Sequence, residues 1–234
     1  MNSSRHYSDH FADPAVTAGY EKKFDNAVDK LRHKIECEIL SHFALGSLYD
    51  CSIGTGRFVG RLAKVSRYSG MDYSRPFLDQ VREQFPGIDV ELGDLTKGIS
   101  QADDTFDTVL SLRTIFALGD PEPILAEMVR IAKPGGRIIF DYGVRHEHVQ
   151  FGGRTIEVSP ADIQSLFASL PVRVLHIEPL DALLLKMKRS RVGRVAARAA
   201  LHSRAACAML IRIEERAARL NADRRLYVLE KVWP

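Results

Sequence analysis

The sequence contains no run of apolar residues approaching the eighteen that a membrane-spanning helix needs, and Met1 to His10 is polar where a secretory signal carries an apolar stretch. Both lacks predict a chain that stays in the cytoplasm. Cysteine is scarce: Cys37, Cys51 and Cys207 are an odd number without close spacing. That excludes a disulfide framework or a cysteine zinc site and predicts three reduced thiols. Acidic residues are missing from one long segment. Between Lys186 and Ile213 stand eight bases (Lys186, Lys188, Arg189, Arg191, Arg194, Arg198, Arg204, Arg212) and no Asp or Glu. The rest of the chain holds 25 bases against 30 acids, a net of −5 beneath the overall +3. This is a statement about a surface, not about a fold.

What is present suits one α/β domain with an added segment: 234 residues, 45% hydrophobic and 27% charged. Phe24, Val28, Leu31, Ile35 and Ile39 predict an amphipathic helix within 21–43. Strands are predicted over 48–52, 68–72, 89–92, 107–112 and 137–142, with helices over 76–85 and 121–132 between them and a helical register from Phe58 to Ala63. Alternating strands and helices mean βαβ units and a parallel sheet. Beyond Tyr142 the spacing predicts a loop over 143–153, a helix over 160–169 capped by Ser159, and strands over 172–177 and 226–232. The Ala- and Arg-rich stretch from about Ser190 to Ala222 is too long to join neighbouring strands, and reads as an inserted helical pair.

The segment Tyr49-Asp50-Cys51-Ser52-Ile53-Gly54-Thr55-Gly56-Arg57-Phe58 places two glycines after a strand, where the backbone turns tightly and a ligand can approach it. A dinucleotide fingerprint wants a third glycine at position 59, which is Val59. Asp72 ends the second strand 18 residues past Gly54, a place from which a carboxylate accepts both hydroxyls of a ribose. Asp94 ends the third strand, placed to accept from an adenine amino group while Leu95 packs near the ring. Together they predict an adenosine without a phosphate contact.

These motifs resemble those of the class I S-adenosylmethionine-dependent methyltransferases. Tyr49–Phe58 is similar to the family's first motif, Gly70-Met71-Asp72-Tyr73-Ser74 to its ribose motif and Gly93-Asp94-Leu95 to its adenine motif. Phe106–Ser111 resembles the fourth strand, and Lys133-Pro134-Gly135-Gly136 the turn before the fifth. One departure is Ser52, where the family usually has Gly. The resemblance implies a Rossmann-like, mostly parallel seven-stranded sheet with its last strand antiparallel and helices on both faces. It also implies S-adenosylmethionine as cofactor, S-adenosylhomocysteine as product, and an N-terminal helix that folds over the cofactor through Tyr7 or Tyr20. The contact set it implies is Tyr20, Asp50, Ser52, Ile53, Gly54, Gly56, Asp72, Tyr73, Asp94, Leu95 and Ser111. The expected domains are a lid at 1–45, a core at 46–185, a basic insertion at 186–224 and a final strand at 225–234.

Methyl transfer needs an acceptor atom held in line about 3 Å from the methyl carbon, and a base only if that atom is protonated. Arg113, after the fourth strand, either grips an acceptor carboxylate or phosphate or makes a salt bridge with a nearby acid. His146 and His148 either deprotonate a hydroxyl or belong to a solvated turn. With Glu147 they lack an obvious third ligand, so no metal is expected. Asp72 and Asp94 each have a second account, as a helix cap and a turn residue. The basic insertion either presents a solvated face of a capping or dimerising helix pair, or docks on an anionic membrane and captures an acidic or lipid-linked saccharide. Signatures resembling nucleic-acid methyltransferases are missing after Ser111, so no nucleic acid is expected. The predicted activity is methyl transfer to an oxygen or nitrogen of a small-molecule or saccharide acceptor, by a monomer or homodimer.

Overall fold

The computed structural model describes residues 11, 13–143, 160–222 and 224–233. Helix α1 (Pro14–Tyr20), capped by Asp13, runs into a 3-10 turn over Glu21–Phe24. The single helix expected over 21–43 is therefore interrupted. Asn26 leaves helical geometry and accepts the Asp29 amide at 3.0 Å, so helix α2 starts afresh at Ala27 and ends at Phe43.

Strand β1 (Gly46–Asp50) precedes the glycine turn. The helix expected from Phe58 to Ala63 does not form. Gly56 and Gly60 hold φ of +75° and +69°, which a right-handed helix cannot continue through. Residues 53–65 instead close three-residue turns, Gly56 N to Ile53 O, Val59 N to Gly56 O and Arg61 N to Phe58 O among them. Strand β2 (Val65–Asp72) then leads to α3 (Arg75–Gln84), capped by Ser74, and β3 (Asp89–Leu92). Strand β4 (Phe106–Ser111) leads to α4 (Pro121–Ile131), with proline at the helix start and Asp120 as cap. Strand β5 spans Ala132–Gly143. It absorbs Lys133–Gly136, expected as a turn, because Ala132 already pairs with Phe106 across a register shift between Phe106 and Thr108.

The chain continues through α5 (Pro160–Leu166) and β6 (Val172–Leu180), then α6 (Leu184–Arg189), α7 (Arg191–His202), α8 (Arg204–Asn221) and β7 (Arg224–Lys231). The inserted stretch is thus a helical pair broken at Ser203, which caps α8. The sheet order is β3-β2-β1-β4-β5-β7-β6, with β7 antiparallel to both neighbours. This is the Rossmann-like sheet with its last strand reversed.

Two layers of side chains cover the sheet. One face buries Val109, Ile138, Phe140 and Tyr227 beneath Leu125, Met128 and Val129 of α4. The other buries Leu48, Leu110, Ile139 and Val228 beneath Leu40 of α2. Helix α2 also joins Val28, Leu31 and Ile35 to Leu184, Met187, Ala197 and Cys207 of the inserted helices. Of the segment 1–45, α2 is therefore core. No described helix is long and apolar enough to cross a membrane.

Candidate active site

The three acids expected at the cofactor are positioned by local backbone. Asp72 accepts the Gly54 amide at 2.8 Å on one carboxylate oxygen and the Ser74 amide at 2.9 Å on the other, tying the first turn to the second. Burial raises its pKa to about 6, against three backbone hydrogen bonds. Asp50 accepts the Ser52 amide at 3.1 Å and the Tyr68 hydroxyl at 2.7 Å, and burial pushes it up to about 7. Asp94 accepts the Thr96 amide and hydroxyl at 3.0 and 2.6 Å and pairs with Lys97 at 3.1 Å. Partial burial works to raise it, but those hydrogen bonds hold its carboxyl below the usual range. Asp94 is thus also the cap of a short 3-10 turn.

Tyr20, Asp50, Ser52, Ile53, Gly54, Asp72, Tyr73, Asp94 and Leu95 line one cleft of about 910 Å³, open to solvent, beyond the carboxyl ends of β1, β2 and β3. Gly54, at φ +53°, turns an open side toward it: a Cβ there would meet nothing within 4 Å. Gly56 stands elsewhere. Its missing Cβ would lie 3.0 Å from the Phe85 ring and 3.3 Å from Val81, so it serves close packing on α3. Ser111 lies behind the wall, its hydroxyl 3.2 Å from that of Ser52. Phe11, Arg57 and Phe77 line the cleft without having been expected there. The Tyr20 ring packs on Phe11, Phe24 and Phe77 with centroids 5.6, 5.1 and 5.1 Å away. The signal in the sequence was the four-residue spacing of Tyr20 and Phe24, but Phe24 equally begins the apolar stripe that continues into α2. Tyr7 lies outside the described residues.

The donor set fits an adenosyl sulfonium better than a dinucleotide. A pyrophosphate needs the amides of the glycine turn, yet Ser52 N is given to Asp50, Gly54 N to Asp72 and Gly56 N to Ile53 O. Two carboxylates, Asp50 buried and Asp72 half-buried, suit hydroxyl and ammonium donors, and Phe77 and Leu95 offer apolar walls to a base.

Arg113 borders the same cleft at the end of β4. Its φ of +62° is unusual for a side chain of its size, and its amide donates to Asp141 at 2.6 Å. Its guanidinium meets Glu36 of α2, so the salt-bridge account of Arg113 describes part of what it does. Glu36 also meets Arg224, the first residue of β7, which in turn binds Asp141 and, at 2.8 Å, Asp181; Arg32 closes the circle onto Asp181 at 2.7 Å. Three cations and three anions are balanced in this buried ring. Burial would raise the Glu36 carboxyl, but Arg113, Arg224 and Arg32 outweigh it and hold the group well below its usual range. Glu36, Arg224 and Arg57 are the residues that sequence reasoning missed. His146 and His148 lie outside the described residues.

A methyltransferase-domain family model matches residues 49–140. A 37.1 kDa protein in transposon TN4556 of Streptomyces fradiae is 34% identical over 100 residues, 40% of this chain and 29% of that one. The ubiquinone/menaquinone biosynthesis C-methyltransferase UbiE of Desulfotalea psychrophila is 31% identical over 99 residues, 40% of each. The chain thus spans less than half the length of these curated relatives. Among solved structures, a Haloferax volcanii methyltransferase in complex with the Trm112 methyltransferase activator has a TM-score of 0.66 at 19% identity, covering 94% of this chain and 97% of that one. Domain match and strand order agree: residues 49–140 are similar to a methyltransferase domain, the sheet has the Rossmann-like order of the class I fold, and S-adenosylmethionine is the cofactor that these similarities indicate.

Proposed function

We propose that this protein transfers the methyl group of S-adenosylmethionine to an oxygen or nitrogen of a small-molecule or saccharide-type acceptor. The observation that carries the reading is the single cleft in which Asp50, Asp72 and Gly54 stand at one end and Arg113 at the other. The cofactor supplies an activated methyl group when bound. The chain's own residues orient and exclude water: Asp72 takes the ribose hydroxyls, Asp94 and Leu95 face the base, Asp50 faces the ammonium through the turn, and Tyr20 covers the cleft. The rate then comes chiefly from positioning, with Arg113 on the acceptor side and His146 or His148 as a base for a hydroxyl acceptor. The domain reading that goes with this keeps 46–185 and 225–234 as the binding core, the segment before Asp25 as a lid and 186–224 as a basic insertion. The test is turnover: S-adenosylhomocysteine release with a metabolite panel, methylated product located by mass spectrometry. Because the Desulfotalea relative is named a C-methyltransferase, the panel includes carbon acceptors, and methylation of carbon alone would overturn the choice of oxygen or nitrogen.

The reading includes a cytoplasmic monomer or homodimer without nucleic-acid business, whose acceptor is acidic or lipid-linked. Val192 and Val195 of α7 are 78% and 66% exposed beside Arg191, Arg194 and Arg198, the composition of a helix that rests on an anionic interface. Co-sedimentation with vesicles of anionic lipid, and none with neutral ones, is the expected result. One feature favours a second reading, a non-catalytic cofactor-binding protein with a regulatory or assembly role: the Ser52 hydroxyl reaches across the first motif to Ser111, at a position where glycine would leave room. Tight binding of S-adenosylmethionine with no turnover on any acceptor is its signature.

A further inference from the structure

Two guanidinium groups in the cleft keep donors in reserve. Arg57 Nη1 and Arg113 Nε are buried and have no hydrogen-bond partner among the described residues. Leaving such donors unmade inside a protein is costly, and native structures rarely do it without a function. Both side chains line the cleft, and both lie against one ring, with guanidinium carbons 4.7 and 5.9 Å from the centroid of Phe24. The acids nearby are already engaged. Glu36 is shared between Arg113 and Arg224, Asp72 takes the amides of Gly54 and Ser74, and Glu21 accepts the Thr55 hydroxyl. Arg57 makes no ion pair among the described residues. The surplus of positive charge is felt at His33, which burial, then Arg57, with Arg113 and Arg61 adding to it, bring down to about 4 despite the attraction of Glu36. A bound sulfonium adds a further net positive charge to this cleft, because the ammonium and carboxylate of its amino-acid part cancel. Asp50, Asp72 and Asp94 line the same cleft and answer that charge; what is left unmade is the pair of donors on Arg57 and Arg113, and an anion is the partner that completes both.

We propose that Arg57 and Arg113 form a subsite for a carboxylate or phosphate group on the methyl acceptor, so that the acceptor is an anion. This rests on the methyltransferase reading and narrows its substrate class. Arg113, anchored by Glu36, supplies a fixed edge. Arg57, stacked on Phe24 and joined to the glycine turn, supplies the second prong. Two guanidinium groups lining one cleft suit the two oxygens of a carboxylate or two of a phosphate.

The test uses the full chain with S-adenosylhomocysteine and with methylthioadenosine, which lacks the amino-acid carboxylate, and two probes, acetate and inorganic phosphate. Calorimetry first establishes that both nucleosides bind the unaltered protein. If neither binds, the methyltransferase reading itself fails and takes the subsite with it. On protein saturated with S-adenosylhomocysteine, we expect at least one of the two anions to raise the melting temperature saturably. Arg57→Gln shifts the midpoint of that saturation at least tenfold upward, Arg57→Lys recovers part of it, and Arg67→Gln, an exposed residue of β2 outside the cleft, leaves it unchanged. The relative response to acetate and phosphate tells which group the acceptor carries. Equal midpoints in unaltered protein and Arg57→Gln overturn the proposal, as does the absence of any anion effect. So does a loss of S-adenosylhomocysteine affinity, with methylthioadenosine affinity intact, in Arg57→Gln, because the pair would then hold the cofactor's own carboxylate. Arg57→Lys keeps the apolar stem over Phe24, so its circular dichroism separates a lost contact from a lost fold.

Discussion

The two ends of the cleft are built by different means. At the nucleoside end, each acid is held by amides close in the chain: Ser52 N to Asp50, Ser74 N to Asp72, Thr96 N to Asp94, all two residues apart. At the acceptor end the holding contacts are long: Arg113 to Glu36 spans 77 residues, Arg32 to Asp181 149, and Arg224 to Glu36 188. The first end depends on these short turns and on bonds between β2 and β1 with its turn that span 18 residues, Gly54 N to Asp72 and the Tyr68 hydroxyl to Asp50. The second depends on the finished sheet. Damage at the acceptor end is therefore felt as lost stability, and damage at the nucleoside end as lost affinity.

The largest effect expected is at the hub of the ring. Arg224→Met leaves Glu36, Asp141 and Asp181 with too few cations in a dry interior, which costs about 3–5 kcal/mol. Urea melts followed by circular dichroism measure it, and a loss under 1 kcal/mol, the size of an exposed pair, breaks the comparison. Next is Asp72→Ala, expected to weaken S-adenosylhomocysteine binding by about 1–3 kcal/mol, since a charged acceptor of hydroxyls is lost. Unaltered affinity by calorimetry counts against its contact with the ribose.

Acid separates the ends further. Asp72 and Asp50, at about 6 and about 7 in the folded chain, both stand above the ordinary 3.8. Their contribution to stability is complete below about pH 4 and is lost as pH rises through those folded values. Glu36 stands below its ordinary 4.5, and its contribution is present above that value and lost as pH falls. Acidification therefore relieves one end and loosens the other. Because the cofactor wants Asp72 ionised, affinity is expected to be about tenfold weaker at pH 5 than at pH 8, one unit below the Asp72 value. Calorimetry in two buffers of different ionisation heat reads the linked proton, and a flat profile removes ionised Asp72 from the binding step. The smallest effect is at Ser52→Gly, which takes the hydroxyl away from Ser111 and widens the pocket. Affinity is expected to tighten by no more than about 1 kcal/mol, the scale of one neutral hydrogen bond; weaker binding means that the hydroxyl helps rather than crowds.

How far the chain could be read in advance follows the same division. Asp50, Asp72, Asp94 and Gly54 are legible because a strand, a tight turn and a carboxylate at fixed offset make a local pattern; Gly56, in the same pattern, packs on α3 instead. The parallel part of the sheet follows from strand-helix alternation and its reversed last strand from the family resemblance; the Phe58–Ala63 helix fails because positive φ at Gly56 and Gly60 overrode an apolar register. Nothing local marks Glu36. It sits on the predicted helix as one acid among several, and only the arrival of Arg224 and Arg113 makes it a structural centre. Arg57 was in view within the first motif, but its stacking on Phe24 depends on the 3-10 turn over Glu21–Phe24, which breaks the helix expected over 21–43.

The antiparallel strand β7 brings Arg224 between Asp141 and Asp181. During synthesis the acids at 36, 141 and 181 are all made before the cation they share, and until the last strand slots between β5 and β6 Glu36 and Asp181 have only Arg113 and Arg32 to meet. The glycine turns can form early and alone; the opposite wall is finished last, in one closing step of high contact order. A ribosome-held chain stopped short of residue 224 would thus possess the nucleoside half of its cleft and no stable half to receive a methyl acceptor.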